Sequence, residues 1–192
     1  QKQLFFKPNI INIIAETGGL NCLIADSSAL TEHAVQDVIY SAFNSAGQRC
    51  SACRVLCVEE NVYDKTIKML KGAMDTLDVG NPEFLSTDIG PVIDASSKEK
   101  IINHIKSFSK TYKSHQVSEN GHFISPTLIE ISSLEEINEE IFGPVVHVIS
   151  FKTREIKKLC KDIDKLGYGL TLGIHSRIDN TINTIIENIN VG

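Results

Sequence analysis

The chain has 192 residues, 42% hydrophobic and 22% charged, which is ordinary globular material and long enough for one domain with a sizeable core. Its formal net charge of -5, from 24 acidic and 19 basic residues without a basic run, argues against a nucleic-acid groove. No apolar stretch approaches the roughly 18 residues of a membrane span, no signal-peptide pattern opens the chain, and five irregularly spaced cysteines suit reduced thiols in a cytoplasmic protein better than a disulfide framework.

In chain order, Ile10-Ile11-Asn12-Ile13-Ile14-Ala15 is a β-branched, strand-like run. It is followed by Glu16-Thr17-Gly18-Gly19, a carboxylate at a sheet edge, and a second apolar run, Cys22-Leu23-Ile24-Ala25. Asp26-Ser27-Ser28 is loop, and Thr31 is placed to cap a helix whose apolar face is Ala34, Val35, Val38, Ile39, Ala42 and Phe43 and which ends near Asn44. Arg54-Val55-Leu56-Cys57-Val58, bounded by Glu59-Glu60-Asn61, reads as a buried strand. A helix over 61–77 carries Ile67, Leu70, Met74 and Leu77 on one face and is broken at Val79-Gly80-Asn81-Pro82. After a turn at Asp88-Ile89-Gly90-Pro91, a helix is expected over 96–110, polar exposed chain over 114–120, and extended chain over 123–128 with Pro126 at an edge or bulge. Ser133 with Glu136 predicts a capping box for a short helical turn ending at Gly143-Pro144. Strand 145–151, helix 154–165, a turn at Gly167-Tyr168-Gly169, strand 171–175 and helix 180–188 complete the chain. This alternation predicts an α/β domain with a largely parallel sheet flanked by helices, and such folds put their chemistry in loops at the carboxyl ends of the strands. Neither a Gly-x-Gly-x-x-Gly fingerprint nor a phosphate loop is present, so the usual nucleotide cradle is missing from this stretch.

The chemistry is placed at Ser45-Ala46-Gly47-Gln48-Arg49-Cys50-Ser51, a small-residue turn between the helix and the buried strand. Gly47 permits a tight turn, and a thiol at Cys50 then lies at the edge of the core, with Arg49 as an adjacent cation favouring the reactive thiolate. Free cysteines are for the most part small buried hydrophobes, the reading given to Cys22 and Cys160. Cys50, Cys53 and Cys57 also form a C-x-x-C-x-x-x-C string compatible with metal or redox chemistry, although Cys57, in mid-strand, is expected to point into the sheet. The six histidines show no metal-ligand spacing and are given core or surface roles.

Three stretches, Glu16-Thr17-Gly18-Gly19, Gly47-Gln48-Arg49-Cys50 and Glu140-Ile141-Phe142-Gly143-Pro144-Val145, resemble in order and spacing the signature motifs of the aldehyde dehydrogenase superfamily. Supporting likeness at Gly90-Pro91, Gly121-His122-Phe123-Ile124-Ser125-Pro126-Thr127 and Tyr168-Gly169-Leu170 extends the resemblance over residues 10–192. Within the superfamily, Ala15-Glu16-Thr17-Gly18-Gly19-Leu20-Asn21, Ser45 through Ala52 and Gly167 through Arg177 look most like the pyrroline-5-carboxylate (glutamate γ-semialdehyde) dehydrogenase module of the bifunctional proline utilisation A enzymes.

The resemblance implies that Cys50 attacks an aldehyde carbon, that oxidation of the thiohemiacetal uses NAD, and that Glu16 activates water to hydrolyse the resulting thioester. It implies that Glu140 and Phe142 contact the ribose and ring of the nicotinamide, and that Ser51 helps hold the substrate's carboxylate. The expected partner is a small-molecule aldehyde, with homo-oligomerisation of the full-length parent; FAD enters only if the parent also has a proline dehydrogenase domain. The asparagine that completes the family's oxyanion site, its dinucleotide-binding domain and its C-terminal anchor and oligomerisation segment match nothing in residues 1–192. The chain is therefore expected to be one catalytic-domain fragment with negligible NAD-dependent turnover alone. Two other readings stay open, a non-catalytic scaffold of the same fold and a C-x-x-C redox or metal module.

Overall fold

The structure, a computed structural model, describes residues 18–191. The strand-like run at 10–15, Glu16 and Thr17 lie outside the described residues. The elements are β1 (Asn21–Ala25), α1 (Thr31–Phe43), β2 (Cys53–Glu59), α2 (Tyr63–Met74), α3 (Ala95–Lys106), β3 (Thr111–Lys113), β4 (Thr127–Glu130), β5 (Val145–Phe151), α4 (Ile156–Asp164), β6 (Leu172–His175) and α5 (Asp179–Ile186). Among the described residues they form one six-stranded sheet in the order β3-β4-β5-β2-β1-β6, parallel throughout except for the β3–β4 pair.

The apolar run of β2 explains its place at the centre. All seven of its residues are buried, as a strand covered on both faces by helices requires. α1 packs against α2 and over β2 and β5 through Ala34, Val35, Val38, Ala42 and Phe43, and α2 presents Ile67, Leu70 and Met74 to the same layer. The connection through α4 runs from β5 back across the sheet to β6, the opposite direction from β1-α1-β2, so right-handed crossovers put α4 on the other face.

Several local expectations are modified. Thr31 is a buried first residue of α1 rather than its cap; Leu30 holds the N-cap position without a side-chain hydrogen bond. α3 is capped by Asp94, whose carboxylate accepts the Ser97 N–H at 2.7 Å. The capping box of Ser133 and Glu136 is present, on a 3-10 turn of only Leu134–Glu136. Pro126 precedes β4 instead of entering its ladder, and the short polar strand β3 has too little apolar pattern to be read from the sequence. The larger correction concerns the site: the Cys50 loop, Gly18-Gly19 and Glu140–Phe142 precede β2, β1 and β5. Three adjacent parallel strands begin at one edge, so their entry loops converge at the amino ends of the strands, not at the carboxyl ends.

Candidate active site

The loop before Cys50 is built against ordinary backbone preference. Ser45, Ala46 and Gly47 all have positive φ (55°, 52° and 64°), a left-handed turn that ends α1 and reverses the chain towards β2. A side chain on Gly47 would strike the Gly143 carbonyl, so glycine here is also what lets the Cys50 loop close on the Glu140–Gly143 segment. Cys50 and Ser51 come out exposed at the top of this turn, while Cys53 and Cys57 are buried in β2.

Asn21, 4% exposed, holds the turn from below. Its side-chain amide donates to the carbonyl oxygens of Cys50 at 2.7 Å and Ala52 at 2.9 Å, and its oxygen accepts the Thr171 N–H at 3.1 Å. One amide thus ties the candidate nucleophile to β1 and to the entrance of β6. A Cβ at Gly19 would lie 2.6 Å from the Asn21 oxygen and 2.9 Å from the Cys50 carbonyl, which explains a glycine at that position by close approach.

Glu140 is turned into the same cluster, its side chain 7% exposed. Oε2 accepts the Gly19 N–H at 2.9 Å, and Oε1 pairs with Nη2 of Arg54 at 3.3 Å. Arg54 is itself 1% exposed. Its Nη2 also donates to the Arg49 carbonyl at 3.0 Å and its Nη1 to the Gly143 carbonyl at 3.3 Å. The guanidinium carbon stands 5.1 Å from the centre of the Phe142 ring, which is 39% exposed. Burial pulls the guanidinium below its ordinary pKa, with Glu140 opposing the shift.

The structure therefore brings Cys50, Glu140 and Phe142 to one edge, with Ser51 exposed beside Cys50; Glu16 lies outside the described residues. Arg49 packs its guanidinium 5.9 Å from the Tyr40 ring centre. Sequence patterns do not single out Asn21 or Arg54 as site residues. Arg54 does carry a usable signal, because a charged residue opening an apolar, fully buried run must find a partner. The C-x-x-C reading loses its second thiol: burial pushes Cys53 up to about 12, and its sulfur lies 3.6 Å from the Val55 carbonyl as a donor.

The sequence matches the aldehyde dehydrogenase family over residues 3–192. It is 51% identical over 191 residues to the bifunctional protein PutA of Klebsiella aerogenes, across 94% of this chain and 15% of that protein. It is 33% identical over 188 residues to a 1-pyrroline-5-carboxylate dehydrogenase of Bacillus subtilis, across 94% of this chain and 36% of that protein. Among solved structures, a mutant of proline utilization A from Bradyrhizobium japonicum superposes with a TM-score of 0.93 at 41% identity, covering 100% of this chain and 20% of that one. A 1-pyrroline-5-carboxylate dehydrogenase from Thermus with bound NAD gives 0.83 at 30% identity, covering 92% and 35%. The chain thus spans between 15% and 36% of the length of the two curated relatives named. With the match covering nearly its whole length and the signature stretches converging on one sheet edge, the chain belongs to the aldehyde dehydrogenase family.

Proposed function

We propose that this chain is the catalytic part of an NAD-dependent dehydrogenase that oxidises L-glutamate γ-semialdehyde to glutamate in proline catabolism. The observation that carries the reading is the exposed Cys50 thiol, held on a braced left-handed turn in the same cluster as Glu140 and Phe142. Relatives at 42–51% identity called bifunctional PutA, and others called 1-pyrroline-5-carboxylate dehydrogenase, support the substrate class.

In this reading the Cys50 thiolate adds to the aldehyde carbon. The new C–S bond moves an electron pair onto oxygen, where the Cys50 backbone N–H is the proposed donor to the oxyanion. NAD, when bound, supplies the hydride acceptor for the oxidation that follows. The residues present fit the nicotinamide end of that cofactor. Phe142 offers a partly exposed flat ring backed by a guanidinium, and Glu140, which among the described residues has one hydrogen bond at each carboxylate oxygen, has lone pairs to offer hydroxyl donors. Glu16 is the proposed base that takes a proton from water as it attacks the Cys50 thioester, a contribution of roughly 10²–10⁴ in rate. Ser51, beside the nucleophile, is proposed to accommodate the substrate's carboxylate. Efficient turnover is proposed to need the parts of the relatives that this chain does not span, with a cytoplasmic homo-oligomer as the working form.

The experiment is NADH formation from glutamate γ-semialdehyde by the chain extended to its natural ends, alongside Cys50→Ser and Glu16→Gln. The expected result is activity abolished by Cys50→Ser, and an acyl-thioester on Cys50 trapped in Glu16→Gln and seen by intact-mass spectrometry. A folded, extended protein inert towards this and other aldehydes would overturn the reading in favour of a scaffold.

A further inference from the structure

We infer that Arg54 is a positioning residue that sets the nucleophile loop and the Glu140–Phe142 segment in register with each other. The inference rests, for its kinetic arm, on the function proposed above. Arg54 is the first charged residue inside the buried central strand, and its guanidinium touches both the loop before Cys50 and the Glu140–Gly143 segment. Towards the nucleophile it donates to the carbonyl of Arg49, the residue immediately before Cys50. Towards the cofactor side it pairs with Glu140, donates to Gly143 and lies beside the Phe142 ring. A planar fork with five donors can satisfy three partners of fixed relative geometry, which the single-point ammonium of lysine cannot do.

The arginine is also held at its other end. The Arg54 carbonyl oxygen is 3.1 Å from Nδ1 of His147, whose Nε2 lies 2.9 Å from Nε2 of His104. With Nδ1 of His147 donating to the carbonyl, its Nε2 accepts from the half-buried His104, so the strand position of Arg54 is held by a chain of hydrogen bonds independent of the guanidinium. A purely structural arginine would need none of the contacts to the Cys50 loop. Here one side chain spans from residue 49 to residues 140–143, and a shift of its head group moves Cys50 and Glu140 relative to one another.

Two measurements with separate dependences test this. On the 192-residue chain without cofactor, the second-order rate of Cys50 alkylation by iodoacetamide is compared between wild type, Arg54→Lys, Arg54→Met and Glu140→Gln, after circular dichroism confirms folding. The expected result is an alkylation rate altered about fivefold or more in Arg54→Lys and Arg54→Met. A smaller change is expected in Glu140→Gln, together with non-additivity in the Arg54→Lys/Glu140→Gln double variant. In the extended enzyme, Arg54→Lys is expected to lower kcat and raise KM for NAD together by about tenfold, and Arg54→Ala to regain activity with millimolar guanidinium ion. If Arg54→Met fails to fold, the lysine and alanine variants carry the test. Folded Arg54→Lys with unchanged alkylation, kcat and KM overturns the inference. An extended wild type that makes no NADH overturns the functional reading instead, and leaves the alkylation result to decide on Arg54.

Discussion

For single residues, the site depends on buried polar atoms whose partners come from distant segments. Asn21 is the sharpest case, because three backbone groups converge on one buried amide. Asn21→Ala strands the carbonyls of Cys50 and Ala52 and the Thr171 N–H. It is expected to cost on the order of 2–4 kcal/mol in urea unfolding. Faster hydrogen exchange at the Ala52 N–H, which bonds the Arg49 carbonyl at 3.1 Å, is the local sign that the Cys50 turn has loosened. Asn21 is legible in the sequence only as part of a resemblance, since nothing local says which carbonyls an asparagine will meet. Cys50 is legible from chemistry: it is a thiol in a small-residue turn between a helical and a strand-like pattern. The same reasoning puts Cys22 and Cys160 in the core, where both are found, at 3% and 0% exposure.

Among the helices and turns, glycine means different things in different places, and two substitutions separate them. Gly47→Ala combines a φ of +64° with a Cβ driven into the Gly143 carbonyl. It is expected to destabilise by roughly 2 kcal/mol or more, and to slow Cys50 alkylation by displacing the loop. Gly72 sits within α2, where an added Cβ would meet nothing within 4 Å, so Gly72→Ala is expected to stabilise by about 1 kcal/mol. Urea midpoints of the two variants give the comparison, and stabilisation by Gly47→Ala would show that the turn is not locked as described. The elements themselves are largely readable, because periodicity is local: strand 145–151 occurs with the expected ends, and α1 buries the expected face. Differences fall at helix ends and at two short strands: β3 has no apolar pattern to read, and β4 lies at Thr127–Glu130 and not over 123–128. Leu30 rather than Thr31 takes the cap position of α1, and Asp94 caps α3.

For the molecule as a whole, pH sensitivity follows from the paired histidines between β5 and α3, His147 buried and His104 half-buried. Burial, reinforced by His104, pulls His147 down to about 4, and burial lowers His104 as well. Arg54, Lys100 and Glu139 are the charges that act on this pair. A histidine whose folded pKa is depressed contributes stability that is complete above its unfolded value, about 6.5, and is lost as pH falls towards 4. The loss from His147 alone amounts to about 2 kcal/mol by pH 5. The urea midpoint is therefore expected to fall between pH 7 and pH 5, and to fall less in His147→Asn. An equal fall in that variant would assign acid sensitivity to other groups. No described helix is long and apolar enough to cross a membrane.

The α/β class, most of the helices, the longer strands β2 and β5, the nucleophile candidate and the family resemblance follow from the amino-acid chain alone, because each is written in local periodicity or in short motifs. Which ends of the strands carry the candidate site emerges only in the folded sheet. Parallel strands share a direction, so the loops entering β1, β2 and β5 meet only once the sheet order β5-β2-β1 is set. The pairing of Arg54 with Glu140, 86 residues away along the chain, emerges there too. A buried charge requires a counter-charge, but only the assembled sheet selects which one.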